Sequence, residues 1–210
     1  MISTNKILSL NESSLAEGIA ALIKIDDDLK EVIVKFGPPP IWGREQGFPT
    51  LLHIILEQQV SLASARAAFN KLKNAAAPLT PEAFLGFSDA ELKGFGFSRQ
   101  KTRYGRALSE AILNGDLDLA ALNNLDDESV RKELIKIKGI GAWTANIYLL
   151  MVLLRPDIWP PGDLALAKAM QQVKKLRELP GQDEQLKIAE KWKPWRAVGA
   201  RILWHHYLSI

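Results

Sequence analysis

Between Pro49 and Leu72, apolar Leu52, Ile55, Leu56, Leu62, Ala63 and Phe69 recur at helical spacing. That i, i+3, i+4 pattern lines one buried helix face and predicts helix over the segment. The same period runs from about Ala142 to Leu154 and stops before Pro156, because a proline pushes the residue ahead of it out of the α region. It returns over Leu164–Leu176 and Trp195–Tyr207. Helix starts are written locally as well. Thr80-Pro81-Glu82-Ala83 reads as an N-cap with proline in the first turn, and Ser88-Asp89-Ala90-Glu91 as a capping box. Asp127-Glu128-Ser129 opens a further helix ending near Lys136. Strand signals are scarce. The longest apolar stretch, Ile147 to Leu154, makes about two helical turns, which is core length and too short to cross a bilayer.

The predicted class is therefore all-α. Two proline-rich connectors, Gly37-Pro38-Pro39-Pro40 and Arg155–Gly162, suggest two helical lobes with a cleft between them. One lobe spans 47–155 and the other combines 1–46 with 156–210. Gly94-Phe95-Gly96-Phe97-Ser98-Arg99-Gln100-Lys101 reads as a helix–glycine–helix junction, a degenerate version of a sharper one near 134–148.

Composition narrows the chemistry. Cysteine is absent, which excludes disulfides, zinc–cysteine sites, iron–sulfur clusters and thiol nucleophiles. The first residues, Ser3, Thr4, Asn5 and Lys6 among them, lack the apolar run of a signal peptide, so a cytoplasmic location is the simplest expectation. A net charge of +3 is mild, but its distribution is uneven. From 131 to 177, Arg131, Lys132, Lys136, Lys138, Arg155, Lys168, Lys174, Lys175 and Arg177 face only Glu133, Asp157 and Asp163. Such a stretch suits a nucleic-acid surface or a solvated helix face.

The sharper junction is Leu134-Ile-Lys-Ile-Lys138-Gly139-Ile140-Gly141-Ala-Trp143-Thr144-Ala145. Glycines bracket a single isoleucine that would anchor the turn in the core. They permit positive φ and close approach by another backbone. The amides of the following helix start favour an anion such as a DNA phosphate, and Lys136 and Lys138 add attraction without sequence preference.

This stretch resembles the helix-hairpin-helix of DNA glycosylases, in particular the 3-methyladenine glycosylase II type. The likeness continues through Leu154-Arg155-Pro156-Asp157, Trp159-Pro160-Pro161-Gly162-Asp163-Leu164-Ala165-Leu166 and Ala189-Glu190-Lys-Trp192-Lys-Pro194-Trp195-Arg196. Upstream it includes Ile55-Leu56-Glu57-Gln58-Gln59-Val60-Ser61, so it covers most of residues 48–208. The resemblance implies the compact helical core without an N-terminal β domain, a DNA-binding cleft, and a monomer acting on double-stranded DNA that contains alkylated bases. The location would be cytoplasmic, nucleoid-associated in a bacterium, or nuclear in a eukaryote.

Asp163 matches the family's catalytic aspartate. Cleaving an N-glycosidic bond gives the sugar oxocarbenium character, which a carboxylate stabilises while orienting the attacking water. Its position before Leu-Ala-Leu-Ala is equally that of an N-cap, and the two roles are compatible. Where some relatives carry a second acid beside it, this chain has Gly162. Superfamily members that also cut the backbone carry a Schiff-base lysine just after the hairpin. Here the slot holds Trp143, which implies hydrolysis without lyase chemistry.

The resemblance also implies a base pocket and a grip. An electron-rich indole attracts a cationic alkylated purine, so Trp143, Trp195, Tyr148 and Trp192 are the expected pocket residues. Ile147 stands where relatives often place an aromatic. Lys138, Gly139, Ile140, Gly141, Thr144, Gln58, Gln59, Ser61 and Arg196 are expected at the DNA. Gln59, with Gln58 next, is the candidate wedge filling the space of a flipped base. Arg196 would meet phosphate or pair with a carboxylate. Trp204 and Trp159 are assigned to core packing, Asp157 to a surface turn, and His205 and His206 to structure or solvent. No redox or organic cofactor is required; relatives often hold Na+ or K+ on hairpin carbonyls, and the metal here is unknown. Two other readings stay open: a non-catalytic helix-hairpin-helix DNA-binding module, and a glycosylase for oxidised or mismatched bases.

Overall fold

A computed structural model describes residues 9–210; the leader expectation at Ser3–Lys6 lies outside them. Among the described residues there are twelve α-helices, two short 3-10 turns and no strand. They divide into two units, one of Arg44–Tyr148 and one joining the chain up to Gly43 with Leu149–Ile210.

The Arg44–Tyr148 unit is built on α3 (Phe48–Glu57), whose Leu51, Leu52, Ile54, Ile55 and Leu56 are all buried. It packs against α4 (Leu62–Ala75) and α7 (Arg99–Leu113). Gly105 lets α5 (Pro81–Gly86) reach α7, since a Cβ there would lie 2.4 Å from the Phe84 ring. Thr80 caps α5 by accepting the Ala83 amide, and Ser88 with Glu91 forms the capping box of α6 (Asp89–Phe95), as their sequence spacing predicts. Gly96 ends α6 in the left-handed region, and Ser98 caps α7, so the second helix–glycine–helix junction is present. The unit continues through α8 (Asp127–Ile135) into the first turns of α9 (Ala142–Met151).

The other unit centres on α12 (Arg196–Ser209), buried from Ala197 through Trp204 and packed on α10 (Leu164–Val173), α2 (Asp27–Phe36) and α1 (Glu12–Ile25). Two glycines permit this packing: a Cβ on Gly199 would lie 2.6 Å from Trp192, and one on Gly18 2.8 Å from Val198. Arg201 is fully buried and spends its guanidinium on three carbonyls, Ile41 at 2.9 Å, Ala197 at 3.0 Å and Leu150 at 2.7 Å. It thereby ties the proline-rich connector and the end of α9 to α12. Burial lowers its pKa to about 10. A short α11 (Gln182–Ala189) precedes the Trp192 turn.

Three boundaries differ from the sequence expectation. The helix predicted over 49–72 is two helices, α3 and α4, broken where Gln59 takes a φ of 55° and Ser61 caps α4. The helix predicted to Leu154 stops at Met151, because Leu154 is left-handed (φ 54°) and the Arg155 amide turns back to the Leu149 carbonyl at 2.9 Å. The one predicted to Leu176 ends at Val173, where Lys175 is left-handed and the Leu176 amide closes on Gln171.

Candidate active site and nucleic-acid interface

The two hairpin glycines do different work. Gly139 has a φ of 96°, and a Cβ on it would lie 2.1 Å from Tyr104 Cγ. Its lack of a side chain is thus demanded from inside the protein. Gly141 is exposed, has nothing within 4 Å of a built Cβ, and accepts the Ala145 amide at 3.0 Å, so it stands at the start of α9. Nothing internal requires glycine there; the openness faces outward, beside the first-turn amides of a helix. Ile140 is buried and donates its amide to Ile137, anchoring the turn as expected. Lys138 is exposed on the hairpin and Trp143 is half-buried in the first turn of α9.

The break between α3 and α4 lies against this hairpin. Gln58 caps α3, and its Nε2 donates to the Gly139 carbonyl at 2.8 Å and to Thr144 Oγ1 at 2.8 Å. Gln59 follows, exposed and left-handed, and Val60 and Leu62 leave apolar surface at 44% and 58% exposure. The base of this tip is held by side chains the sequence reading overlooked. Lys101 Nζ donates to the Leu56 carbonyl at 2.5 Å, and burial lowers its pKa. Arg44 grips buried Glu57 with two bonds of 3.0 Å. His53 stacks on Phe69 with 4.3 Å between ring centroids, and burial lowers its pKa against the opposing pull of Glu57.

Three expectations in this unit need correction, at Gln58, Thr144 and Tyr148. Gln58 is turned inward to the hairpin and is not a free wedge. Thr144 is 1% exposed and meets Gln58, not solvent. Ser61 is exposed and accepts the Ser64 amide at 3.2 Å as the cap of α4, which leaves its hydroxyl proton to donate. Tyr148 is fully buried, which pushes its phenol up to about 12, so it offers no open ring face. The hairpin carbonyls of Gly139 and Ile137 already accept hydrogen bonds, from Gln58 and Ile140, so a monovalent ion would share them through second lone pairs.

In the other unit, Pro160 and Pro161 lead to Gly162, left-handed at φ 79°, and this turn delivers half-buried Asp163 to the N-terminus of α10. Asp163 Oδ1 accepts the Leu166 amide at 2.9 Å and faces Trp204 Nε1 at 3.4 Å. Trp204 therefore does more than the core packing expected of it: its indole N–H is directed at the candidate catalytic carboxylate. Trp195 packs its ring edge on Gly18 yet stays half-exposed at the start of α12, compatible with a pocket role. Trp192 is not so placed. It is 1% exposed, packed on Gly199, and its Nε1 donates to Asp26 Oδ2 at 2.8 Å, which makes it a core residue. Arg196 pairs with Asp157 through Nε–Oδ1 at 2.7 Å and Nη2–Oδ2 at 3.0 Å, so the carboxylate alternative is realised rather than a free phosphate contact. Among the described residues no three His, Asp or Glu side chains group to hold a metal, and no helix is long and apolar enough to cross a membrane.

Known proteins are similar to this chain in sequence and in fold. Residues 52–194 match the HhH-GPD superfamily of base excision DNA repair proteins. DNA-3-methyladenine glycosylase 1 of Schizosaccharomyces pombe is 27% identical over 200 residues, covering 91% of this chain and 87% of that protein. A putative DNA-3-methyladenine glycosylase of Bacillus subtilis, YfjP, is 33% identical over 124 residues, 59% of this chain; the match spans less than half of that relative, 43% of its length. The structure of the S. pombe glycosylase Mag1 in complex with abasic DNA matches with a TM-score of 0.85 and 26% identity, over 90% of this chain and 95% of that one. A DNA-3-methyladenine glycosidase from Bacillus halodurans gives 0.73 and 28%, over 94% and 90%.

Proposed function

The chain belongs to the HhH-GPD superfamily of base excision DNA repair proteins, and on that premise we propose that it is a monofunctional DNA glycosylase hydrolysing the N-glycosidic bond of alkylated purines, 3-methyladenine and 7-methylguanine, in duplex DNA. The observation that carries the reading is the hairpin: Gly141 opens outward at the start of α9 with no internal reason to be glycine. A DNA phosphate fits that opening, with the first-turn amides as donors and Lys138 supplying charge. The left-handed tip at Gln59 enters the duplex where the damaged nucleotide leaves it, and Trp143 and Trp195, each half-exposed in its own unit, are the candidate indoles for the cationic base.

Alkylation has already weakened the bond to the base, so the enzyme needs little acid assistance. As the bond breaks, the electron pair leaves with the cationic base, which becomes neutral, and positive charge gathers on the sugar. Asp163 stabilises that charge and directs a water to the anomeric carbon; the proton lost by the water passes to the carboxylate or solvent. Trp204 and the Leu166 amide both address Oδ1 and fix the orientation of the carboxylate. With Trp143 in the slot after the hairpin, no lysine amine is offered there for a Schiff base, which leaves water as the nucleophile. The protein works as a monomer in the compartment that holds the DNA, cytoplasm or nucleus.

The test is release of free 3-methyladenine and 7-methylguanine from methylated duplex DNA. The native chain is expected to release both. Asp163→Asn is expected to lose on the order of 10²–10³-fold in rate with DNA binding retained. If neither protein releases base while both bind DNA, the chain is a binding module. A borohydride-trapped covalent protein–DNA adduct would refute the hydrolytic assignment.

A further inference from the structure

We infer that Gln58 is a positioning residue that locks the intercalating tip to the phosphate grip, so that the two meet the duplex as one body. The inference rests on the glycosylase reading and assigns Gln58 a task distinct from that of its neighbour Gln59.

The geometry fixes the orientation of the amide. The Gly139 carbonyl can only accept, so Gln58 must present its NH2 group there. The second proton of that group serves Thr144 Oγ1, each at 2.8 Å. One bond reaches the left-handed residue of the hairpin and the other the first turn of α9, so a single side chain bridges both halves of the grip. Backbone on the tip side is equally constrained. Leu56 is held through its carbonyl by Lys101, and Glu57 through its carboxylate by Arg44. Gln58 is thus the last restrained residue before the chain turns left-handed at exposed Gln59.

This has a mechanical consequence. A phosphate caught at Gly139–Gly141 sets the register of the protein on the duplex. Through Gln58, the same event sets the offset of Gln59 from that phosphate. Without the tie, the grip still binds backbone and the tip still exists, but their separation is free to vary. Extrusion of a nucleotide requires both to act at one step of the helix. Loss of Gln58 is therefore expected to spare binding to undamaged DNA and to impair flipping, a separation that loss of the hairpin itself would not produce.

The experiment compares the full native chain with Gln58→Met, which keeps length and volume but donates no hydrogen bond. Three readouts are taken: affinity for undamaged duplex, fluorescence of a 2-aminopurine placed beside the lesion as a report of unstacking, and single-turnover release of 3-methyladenine. Gln58→Met is expected to hold its undamaged-duplex affinity, lose the unstacking signal, and release base on the order of 10- to 100-fold more slowly, the scale of a small misplacement of reacting groups. Thr144→Val removes one of the two bonds and is expected to show the same pattern at smaller amplitude, which covers the case of a poorly folded Gln58→Met. Release at the native rate overturns the inference, as does a slower release matched by an equal loss of undamaged-duplex affinity. If the native chain releases no base, the glycosylase reading fails on its own account. Hydrogen exchange without DNA then decides the tie: faster exchange at residues 139–144 in Gln58→Met supports it, and unchanged exchange overturns it.

Discussion

The hairpin glycines offer a sharp contrast: Gly139→Ala should damage the fold, and Gly141→Ala should damage DNA binding. At Gly139, the new Cβ would meet Tyr104 atoms at 2.1, 2.4 and 2.5 Å. Carbon atoms rest at about 3.5–4.0 Å, so the ring or the hairpin must move by more than about 1 Å. Overpacking of that kind costs about 1–3 kcal/mol. The φ of 96° adds a separate penalty, about 1–2 kcal/mol for a residue with a Cβ on the left-handed side. Together they give about 2–5 kcal/mol, a large share of the stability of a domain. At Gly141 the Cβ meets nothing, and exchanging glycine for alanine at a helix start costs at most about 1 kcal/mol. Urea unfolding of both variants, with duplex binding measured beside it, checks the contrast. Tyr104→Ala combined with Gly139→Ala should recover the overpacking share and leave the backbone share. The reasoning fails if Gly139→Ala costs less than about 1 kcal/mol. It also fails if Gly141→Ala binds DNA as the native chain does.

Further outcomes follow from the same contacts. Asp163→Asn should keep the melting temperature, because asparagine caps a helix as well as aspartate, while Asp163→Leu should lower it; both should release base on the order of 10²–10³-fold more slowly. Trp204→Phe removes the indole N–H facing Asp163 at 3.4 Å and should slow release less than Asp163→Asn, with little change in KM. Arg196→Ala breaks the fork with Asp157 and should cost about 1–3 kcal/mol in unfolding while leaving DNA affinity unchanged. Burial works to raise the pKa of Asp26, but hydrogen bonds from Lys174, Trp192 and the Leu29 amide outweigh it, so the folded value lies below 3.8. The unfolded chain therefore takes up this proton first. The stabilisation is complete above the unfolded value and is lost as pH falls through the folded one. Urea titrations from neutral pH to below 3.8 should show that acid loss in the native chain and a shallower one in Asp26→Asn.

Local chemistry was legible wherever a residue's task is met by its sequence neighbours. Thr80, Ser88 and Asp163 announce helix starts because the amides they cap lie three residues on. Gly139-Ile140-Gly141 announces a hairpin because only a short glycine turn joins two helices so tightly. Helices α1, α2 and α11 were not anticipated, since their apolar faces become decisive only against partners elsewhere in their unit. The helix break at Gln59 was missed for a related reason: apolar periodicity continues across it, and the Ser61 cap that marks it was read as part of the helix.

Tertiary structure decided the roles that depend on distant partners. Gln58 and Gln59 are identical in the sequence, yet one spends its amide on a carbonyl 81 positions away and the other is exposed. Trp192 and Trp195 lie three positions apart, yet one is sealed against Gly199 and bonded to Asp26, and the other stays half-exposed. Trp204 looked like ordinary core until α12 carried its N–H to Asp163. The family, the all-helical class and the candidate carboxylate were readable in advance because glycines, prolines and caps act over a few residues. Which side chain holds, which is buried and which stays exposed depends on the packing of elements far apart in the chain, and residue type alone does not encode it.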